Sequence, residues 1–280
     1  MFECLFEQAS LLKKICEAIK ELTDQACFEV SGTGISLQAM DSSHVSLVSF
    51  LLRNEHFSQF RCDRNLTLGL NLKMITKILK TAGNEDRVTL RAEDDGDHLV
   101  MVIESKTGNK ISSYEVKMLD IDQQAFGVNE TDYKASTKMS SEEFQRICHD
   151  LLVVGDTVSI EMTKDGITFS VSGTETSGCI TCRQSGTVDD ESVGTEITLQ
   201  EPMNLSFALK FLNLFTKATP LSNSVSIEMS ADQPLCIHYD IGDMGNIRYF
   251  LAPKIDDEEG AGAAGAPAAA PTEAAGGDDE

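Results

Sequence analysis

Two cysteines three residues apart, Cys179 and Cys182, form the first arrangement in this sequence whose residue types could do chemistry. Paired thiolates at this spacing bind zinc or exchange disulfide bonds. No second Cys-x-x-Cys pair and no histidine pair accompanies them. The two lie in a predicted strand, where residues three apart point to opposite faces. The sequence therefore predicts two separate thiols rather than a metal or redox centre.

A second candidate is Ser10-x-x-Lys13 together with Lys106-Thr107-Gly108, a combination found in penicillin-recognising enzymes. The Ser-Asp-Asn element of those enzymes is missing between the two motifs. The five histidines show no ligand spacing, and there is no phosphate-binding P-loop. We therefore expect no enzymatic activity, no metal and no cofactor.

Lysines grouped on one predicted helix are the third arrangement, and their chemistry would be the binding of phosphate. The stretch NLKMITKILKTAGN, residues 71 to 84, carries Lys73, Lys77 and Lys80 and no acidic residue. The whole chain of 280 residues has 45 acidic and 23 basic side chains and a formal net charge of −22. Acidity this strong argues against general binding of nucleic acid. Any phosphate contact must therefore be made by a localised basic face.

Four segments have the apolar spacing of amphipathic helices, with apolar residues three and four apart. They are residues 10–22, 72–82, 140–152 and 204–218. Between them the period changes to two, as in GISLQAM, HLVMVIE, GITFSVS and PLCIHYD, with turn sequences such as EDDGD and KDG. Each unit is one helix followed by antiparallel strands. Four such units predict two similar α+β domains, each with two helices packed on antiparallel sheets.

Composition predicts the domain boundaries. Residues 1–117 form the first domain and 135–253 the second, and the acidic, weakly periodic segment 118–134 connects them. Residues 254–280 are rich in Ala, Gly and Pro and hold eight acids against one lysine, which predicts a disordered tail. Subtracting the −7 of this tail from −22 leaves −15 on residues 1–253, so the folded part is itself acidic.

The cysteines and the apolar runs indicate where the protein resides. The eight cysteines lie mostly within apolar patterns, and the N-terminal stretch MFECLFEQAS is too short and too acidic for a secretory leader. We therefore expect reduced thiols inside a cell. No apolar run approaches the roughly 20 residues that span a bilayer, so no membrane partner is expected.

Lysines recur seven residues apart on three of the predicted helices and so lie on one face of each. The pairs are Lys13 and Lys20, Lys73 and Lys80, and Lys210 and Lys217, and the third helix carries Arg146 and His149. A charged stripe on one helix is most often only a solvated face. Four such faces in a chain whose acids lie elsewhere favour binding of a phosphate backbone, independent of base sequence.

Longer stretches resemble a known family. GISLQAMDSSHVSLVSFLLR (34–53) and FRCDRNLTLGLNLKMITKILKTAGNEDRVTLRAED (60–94) closely resemble the signature regions of the proliferating cell nuclear antigen family, the eukaryotic sliding clamps. The resemblance continues through SYEVKMLDID, RICHDL, FALKFLNLFTKATPLS and FLAPKIDDEEG, and covers residues 1 to 259. A checkpoint clamp of the same fold is the alternative, although such clamps diverge further from these signatures.

The resemblance implies a DNA sliding clamp, a homotrimeric ring of clamp domains around duplex DNA that serves as a DNA polymerase processivity factor. It also implies a nuclear protein in which a clamp loader, polymerase, nuclease and ligase dock on one face through short clamp-binding motifs. Replication, translesion synthesis, mismatch repair and other DNA repair are the implied processes.

The resemblance also implies roles for individual residues. The DNA-facing positions are Lys13, Lys14, Lys20, Arg61, Arg64, Lys73, Lys77, Lys80, Arg146, His149, Lys210 and Lys217. His149 stands where the family usually has a stronger base, so a weaker cation is expected there. The partner-peptide pocket is formed by Met40, His44, Val45, Leu47, Phe126, Val128, Tyr133, Pro234, Phe250, Leu251, Ala252 and Pro253.

Two further sets of positions follow from the same resemblance. Subunits would join through two edge strands, residues 109–117 and 176–184, with Lys110, Tyr114, Cys179 and Thr181 at the interface. Ring closure would cover edges that otherwise promote aggregation. Lys164 matches the lysine that the family modifies with ubiquitin or its relatives, and it precedes an Asp-Gly turn that should expose it.

Overall fold

The computed structural model describes residues 1–121, 126, 132–185 and 194–254 of the chain, and these residues have the expected α+β architecture. The α-helices are α1 (Ala9–Lys20), α2 (Leu72–Leu79), α3 (Ser141–Leu152) and α4 (Leu209–Phe215), and short 3-10 helices cover Asn54–His56, Thr216–Leu221 and Gly242–Met244. The strands are β1 (Phe2–Phe6), β2 (Gln25–Ser31), β3 (Gly34–Met40), β4 (Ser46–Arg53), β5 (Phe60–Cys62), β6 (Leu66–Asn71), β7 (Arg87–Ala92), β8 (His98–Glu104), β9 (Ile111–Lys117), β10 (Ala135–Ser140), β11 (Thr157–Met162), β12 (Gly166–Ser172), β13 (Ser177–Arg183), β14 (Glu196–Leu199), β15 (Met203–Ala208), β16 (Ser224–Met229), β17 (Leu235–Ile241) and β18 (Gly245–Leu251).

The strands form three antiparallel sheets among the described residues. A five-stranded sheet has the order β5-β1-β7-β8-β9, and a four-stranded sheet has the order β13-β12-β11-β15. The third sheet has nine strands, β14-β10-β16-β17-β18-β4-β3-β2-β6, and it joins the two halves of the chain where β18 pairs with β4. Strands β9 and β13 each lie at the outer edge of their sheet.

The four α-helices lie in one continuous layer. Helix α1 contacts α2 and the 3-10 helix Thr216–Leu221, and α3 contacts α4 and the same 3-10 helix. The apolar stripes predicted from the sequence face the core: Ile15 and Ile19 of α1 and Phe144 and Ile147 of α3 are each at most 1% exposed. Burying a side chain of this size contributes about 1.5–3 kcal/mol. Helix packing therefore turns the opposite, charged faces outward.

Side-chain caps define where two of the helices begin. The Asn71 side chain accepts a hydrogen bond from the backbone N–H of Met74 at 3.0 Å, so α2 starts at Leu72. The Ser140 hydroxyl accepts one from the backbone N–H of Glu143 at 3.4 Å, at the start of α3. Such a cap typically contributes about 1 kcal/mol. These caps fix the residue at which each helix begins, and the buried apolar stripe then sets the direction of its charged face.

The fourth helix differs from the sequence prediction, which placed it at 204–218. Residues Met203–Ala208 form β15 instead, because they pair with β11 along its whole length, Leu205 opposite Ile160. Helix α4 follows only at Leu209 and ends at Phe215, so Lys217 lies in the next 3-10 helix. The prediction that Lys210 and Lys217 share one face of a single α-helix is therefore wrong.

Candidate nucleic-acid interface and partner groove

Most of the predicted DNA-facing side chains lie on the exposed side of the helix layer. Those in the α-helices, at their ends or in the adjoining 3-10 helix are Lys13, Lys14, Lys20, Lys73, Lys77, Lys80, Arg146, His149, Lys210 and Lys217. We call this set the helix-layer cations. Helices α2 and α4 contain no acidic side chain, whereas α1 contains Glu17 and α3 contains Glu142, Glu143 and Asp150.

Several helix-layer cations are engaged within the protein. Lys20 forms an ion pair with Glu17 at 2.5 Å, Lys73 with Asp24 at 2.6 Å, and Arg146 with Glu143 at 3.3 Å. The Lys13 ammonium donates to the backbone oxygen of Ala82 at 2.7 Å, which joins α1 to the segment after α2. Each of these side chains would have to leave or share its partner within the protein before it could contact a phosphate.

Four other helix-layer cations make no ion pair or side-chain hydrogen bond with another described residue. They are Lys14, Lys77, Lys80 and Lys217, all exposed. Of the remaining two, Lys210 lies 4.7 Å from the ring centre of Phe211, and His149 is 3.5 Å from Asp150. An exposed ammonium without a carboxylate partner can contact a phosphate without first breaking an ion pair, and each such contact releases cations condensed on the DNA. These four lysines are therefore the strongest candidates for mobile phosphate contacts.

A polar groove crosses the helix layer where the two halves of the chain meet. Lys14 of α1 lines it from one side, and Arg146 and His149 of α3 and Lys217 line it from the other. Amide and hydroxyl groups, including Gln145 and Asn213, line most of the remaining wall, together with one carboxylate, Glu142. Basic side chains that outnumber the single carboxylate, with neutral donors between them, suit a negatively charged, extended ligand without base reading.

Arg61 and Arg64 do not join the helix layer, in contrast to the other predicted DNA-facing residues. Arg61 lies on β5, at the edge of the five-stranded sheet, and pairs with Asp63 at 2.9 Å. Arg64 pairs with Asp95 at 2.6 Å and with Asp94 at 3.3 Å. The family resemblance, through the signature region that contains them, placed these two arginines in the predicted set. The strand pairing separates them from the helices.

The predicted partner pocket begins as an apolar row across three neighbouring strands. Met40 of β3 lies opposite Leu47 of β4, which lies opposite Phe250 of β18. Val45, 37% exposed, precedes this row, and its backbone oxygen accepts a hydrogen bond from Ala252 N–H at 3.2 Å. Leu47 is only 7% exposed, and Met40 and Phe250 on either side of it are partly exposed. We call this shallow apolar row, with Val45, the partner groove, and it suits aromatic and aliphatic side chains of a docked peptide.

Other predicted pocket residues have different positions. Pro234 and Ala252 are exposed, Pro253 is partly exposed, and the Tyr133 hydroxyl donates to the Pro234 oxygen at 3.1 Å. Leu251 is fully buried because its side chain points to the opposite face of β18 from Phe250. Its assignment to the pocket is therefore corrected, since its side chain can only support the pocket from below. Phe126 is partly buried, and Val128 lies outside the described residues.

A buried carboxylate organises the turn that carries His44 and Val45. Asp41 is 7% exposed and accepts backbone N–H bonds from Val45 at 2.9 Å and Ser46 at 2.6 Å. It also accepts from the backbone N–H of Ser43 at 2.8 Å and from the hydroxyls of Ser43 and Ser46. Burial by itself raises the pKa of Asp41, but these hydrogen bonds outweigh it and lower the pKa to about 2.

This turn contains the strained residue His44, whose φ is +57°. A non-glycine residue in the left-handed region costs roughly 1 kcal/mol or more and persists only where its surroundings hold it. The hydrogen bonds to Asp41 on both sides of His44 provide that constraint. Asp41 was not among the predicted site residues, although Asp-Ser-Ser is a typical sequence for a turn closed by its own side chain.

The first residues of the predicted connector lie against the edge of the nine-stranded sheet. Leu119 N–H donates to the Gly69 oxygen at 2.8 Å, and the Cys27 thiol donates to the Ile121 oxygen at 3.7 Å. A Cβ atom added at Gly69 would lie 2.0 Å from the Leu119 oxygen, so only glycine permits this approach. The sequence contains no pattern that singles out Gly69, because the contact spans 50 positions of the chain.

A polar row lies beside the apolar one. His238 of β17 lies opposite Arg248 of β18, and both side chains are on the outer face of the sheet. Burial lowers the pKa of His238 and outweighs the opposing effect of Asp240, so the imidazole is mostly neutral at pH 7. Of this pair, Arg248 is therefore the side chain that is charged at pH 7, and it lies two residues before Phe250 of the apolar row.

The remaining predicted residues lie on strand edges and a hairpin tip. Tyr114 lies on the helix side of β9, and its hydroxyl is 3.2 Å from the Thr81 hydroxyl. Cys179 and Thr181 of β13 are exposed on the opposite face from Cys182, whose thiol pKa burial raises. Lys164 is exposed between β11 and β12, and Lys110 is exposed just before β9.

Exposure alternates along β13, with Cys179 exposed and Cys182 partly buried, which confirms the prediction that the two cysteines point to opposite faces of one strand. Among the described residues, no group of three or more histidine, cysteine or acidic side chains is arranged to hold a metal ion. No described helix has the length and apolar character needed to cross a membrane.

Two similar halves, three antiparallel sheets and one helix layer with unpaired lysines define a DNA sliding clamp. The family model for the N-terminal domain of proliferating cell nuclear antigen matches residues 1–126, and the model for the C-terminal domain of the same family matches residues 127–254. The chain therefore belongs to the proliferating cell nuclear antigen family, whose members are non-enzymatic scaffolds on DNA. Fold class and family thus agree with the sequence prediction.

Proposed function

We propose that this protein is a homotrimeric ring that encircles duplex DNA and keeps a DNA polymerase on its template. The carrying observation is the set of exposed, unpaired lysines Lys14, Lys77, Lys80 and Lys217 in one continuous helix layer. Single contacts between an exposed lysine and a phosphate are weak. They suit a clamp that stays on DNA because it encircles the duplex and that must slide along it. An acidic exterior discourages binding of DNA anywhere else.

Two open strand edges support the ring. In an in-plane pairing of β9 with β13 of a second copy, residues on the helix side of one strand meet the helix side of the other. Tyr114 would then pack against Ile180 and Cys182, whereas Cys179 and Thr181 would lie on the outer face. Lys110 lies just outside β9. Closure of three such pairs leaves no free edge at these strands.

The partner groove gives the clamp its second role. We assign the row Met40, Leu47 and Phe250, with Val45 and Pro234, to peptides that carry a glutamine, an aliphatic residue and two aromatic residues. Polymerase, clamp loader, nuclease and ligase are the proposed partners, in replication, translesion synthesis and mismatch repair within the nucleus. Lys164, at its hairpin tip, is the proposed site of ubiquitin-like modification. The proposed domains are 1–117 and 135–253, joined by 118–134.

Primer extension on a long circular template tests this function. With a loader, ATP and polymerase, the wild-type protein should lengthen the products. Lys77→Glu with Lys80→Glu should shorten them, because the change of −4 per subunit repels phosphate, while the buried face of α2 is untouched. Helix propensity changes little between Lys and Glu.

The matched control is Lys138→Glu with Lys164→Glu, which makes the same change of charge at exposed positions outside the helix layer that form no ion pair with another described residue. This control should extend primers like the wild type. Part of the defect of the helix variant should be relieved by moderate salt, which screens repulsion. Equal product lengths for both double variants would contradict the assignment of the helix layer to DNA.

A further inference from the structure

The described chain ends beside the helix layer. Lys254 donates its backbone N–H to the Ser206 oxygen at 2.7 Å, and its ammonium donates to the Thr157 hydroxyl. Thr157 pairs with Ala208, the residue immediately before α4, and Lys210 follows two positions later. Lys254, the last described residue, therefore lies against the ends of β11 and β15, next in sequence to the helix that carries Lys210.

The segment that follows is strongly acidic. Residues 255–280 contain eight acidic side chains and no lysine, arginine or histidine, which gives a net charge of −8. The acids are Asp256, Asp257, Glu258, Glu259, Glu273, Asp278, Asp279 and Glu280. The segment has no aromatic residue, and Ile255 is its only large apolar side chain. It cannot fill the apolar partner groove, and its chemistry matches a cationic surface.

We propose that residues 256–280 bind to the helix-layer cations of the same molecule and compete there with DNA phosphates. Lys14, Lys77, Lys80 and Lys217 have no counter-ion among the described residues, and they are the binding partners that charge complementarity selects. A stretch of 26 residues spans about 90 Å when fully extended. The segment can therefore reach every helix of its own subunit from its start beside α4.

This inference extends the proposed function, because competition matters only if the helix layer also binds DNA. Thermodynamic linkage is reciprocal. If the bound acidic segment lowers the affinity of the helix layer for DNA by some factor, bound DNA lowers the affinity of the helix layer for the segment by the same factor. The competition acts on loosely bound, sequence-independent contacts and leaves a topologically closed ring in place. It would suppress adsorption of the free ring to DNA surfaces that it does not encircle.

Zero-length carbodiimide cross-linking of the full chain without DNA locates the segment directly. This reagent joins a carboxylate to an ammonium only when the two are in contact. Peptide mass analysis should show links from residues 256–280 to Lys14, Lys77, Lys80 or Lys217. Lys138 and Lys164 serve as controls, since both are exposed and form no ion pair with another described residue but lie outside the helix layer. Links to the controls alone, or none to the helix layer, would overturn the proposal.

Affinity for a short linear duplex provides the second measurement. A variant in which the eight acids become Asn or Gln keeps the length of the segment. It should bind the duplex about tenfold more tightly than the wild type at 50 mM salt, and the difference should disappear near 0.5 M salt. Cross-links to the helix layer combined with equal affinities for the duplex would contradict the proposed competition. They would show that DNA does not bind the surface that the segment contacts. Missing cross-links with normal polymerase stimulation would overturn only the tail proposal.

Discussion

Asp41→Asn tests whether one buried carboxylate holds the turn beside the partner groove. The substitution keeps the size of the side chain, removes its charge and turns an amide NH₂ toward backbone donors. A folded-state pKa of about 2 against about 3.9 for an unfolded aspartate corresponds to about 2.6 kcal/mol, at 1.36 kcal/mol per pKa unit. Because Asp41 is only 7% exposed, solvent screening reduces this value little.

The pH dependence follows from the sign of the shift. The folded-state pKa is lowered, so the contribution of Asp41 is fully present above the unfolded pKa of about 3.9 and is lost as pH falls through 2. The wild type should therefore exceed Asp41→Asn by about 2.6 kcal/mol in the free energy of unfolding at pH 7. At pH 3 the difference should be about half as large.

Denaturant unfolding at equal protein concentration at pH 7 and pH 3 measures both values. Asp165→Asn, in the exposed turn before β12, is the matched control, and it should change stability by less than about 0.5 kcal/mol. Binding of the motif peptide should weaken in Asp41→Asn, because Val45 loses its fixed position. A difference below about 0.5 kcal/mol at pH 7, or one that does not depend on pH, would refute this reasoning.

Three further substitutions address the interface, the groove and the connector. Tyr114→Ala should weaken ring closure by roughly 3 kcal/mol, which light scattering would detect as a lower mass. Ser113→Ala, on the exposed face of the same strand, should leave the mass unchanged. An unchanged mass for Tyr114→Ala would place the interface elsewhere. Leu47→Ala should weaken binding of the motif peptide about tenfold by calorimetry with the trimer mass intact, while Met74→Ala should bind normally, and equal affinities would exclude this groove. Gly69→Ala should speed hydrogen exchange at the Leu119 amide, because the new Cβ would lie 2.0 Å from the Leu119 oxygen. Gly32→Ala, whose new Cβ would have no atom within 4 Å, should leave that exchange unchanged. Protection of the Leu119 amide that survives in Gly69→Ala would contradict the contact.

Local patterns were sufficient to predict much of the fold. The segments GISLQAM, HLVMVIE and GITFSVS coincide with β3, β8 and β12, because period-two alternation and flanking turns are local signals. Residues 204–208 were predicted as helix from apolar spacing alone. Pairing with β11 overrode that local preference, and no local pattern could reveal the partner strand.

The candidate site was predictable in its residue types and less so in its pairing. The sequence identified the helix-layer cations, but it could not show that Lys20 and Lys73 are neutralised by Glu17 and Asp24 while Lys77 and Lys80 are free. Ion pairs depend on how helices and turns meet in three dimensions. The same applies to Gly69, whose role depends on a connector distant in sequence.

Retention on circular DNA tests most directly whether the protein is a ring around duplex. The protein is loaded onto a nicked circular plasmid, washed with 0.5 M salt, and the plasmid is then cut once. A topological link predicts that the protein stays on the circle through the wash, because screening removes phosphate contacts but cannot open a path off the DNA. It also predicts loss of the protein after the cut. Loss from the intact circle, or equal retention before and after cutting, would contradict the sliding-clamp account.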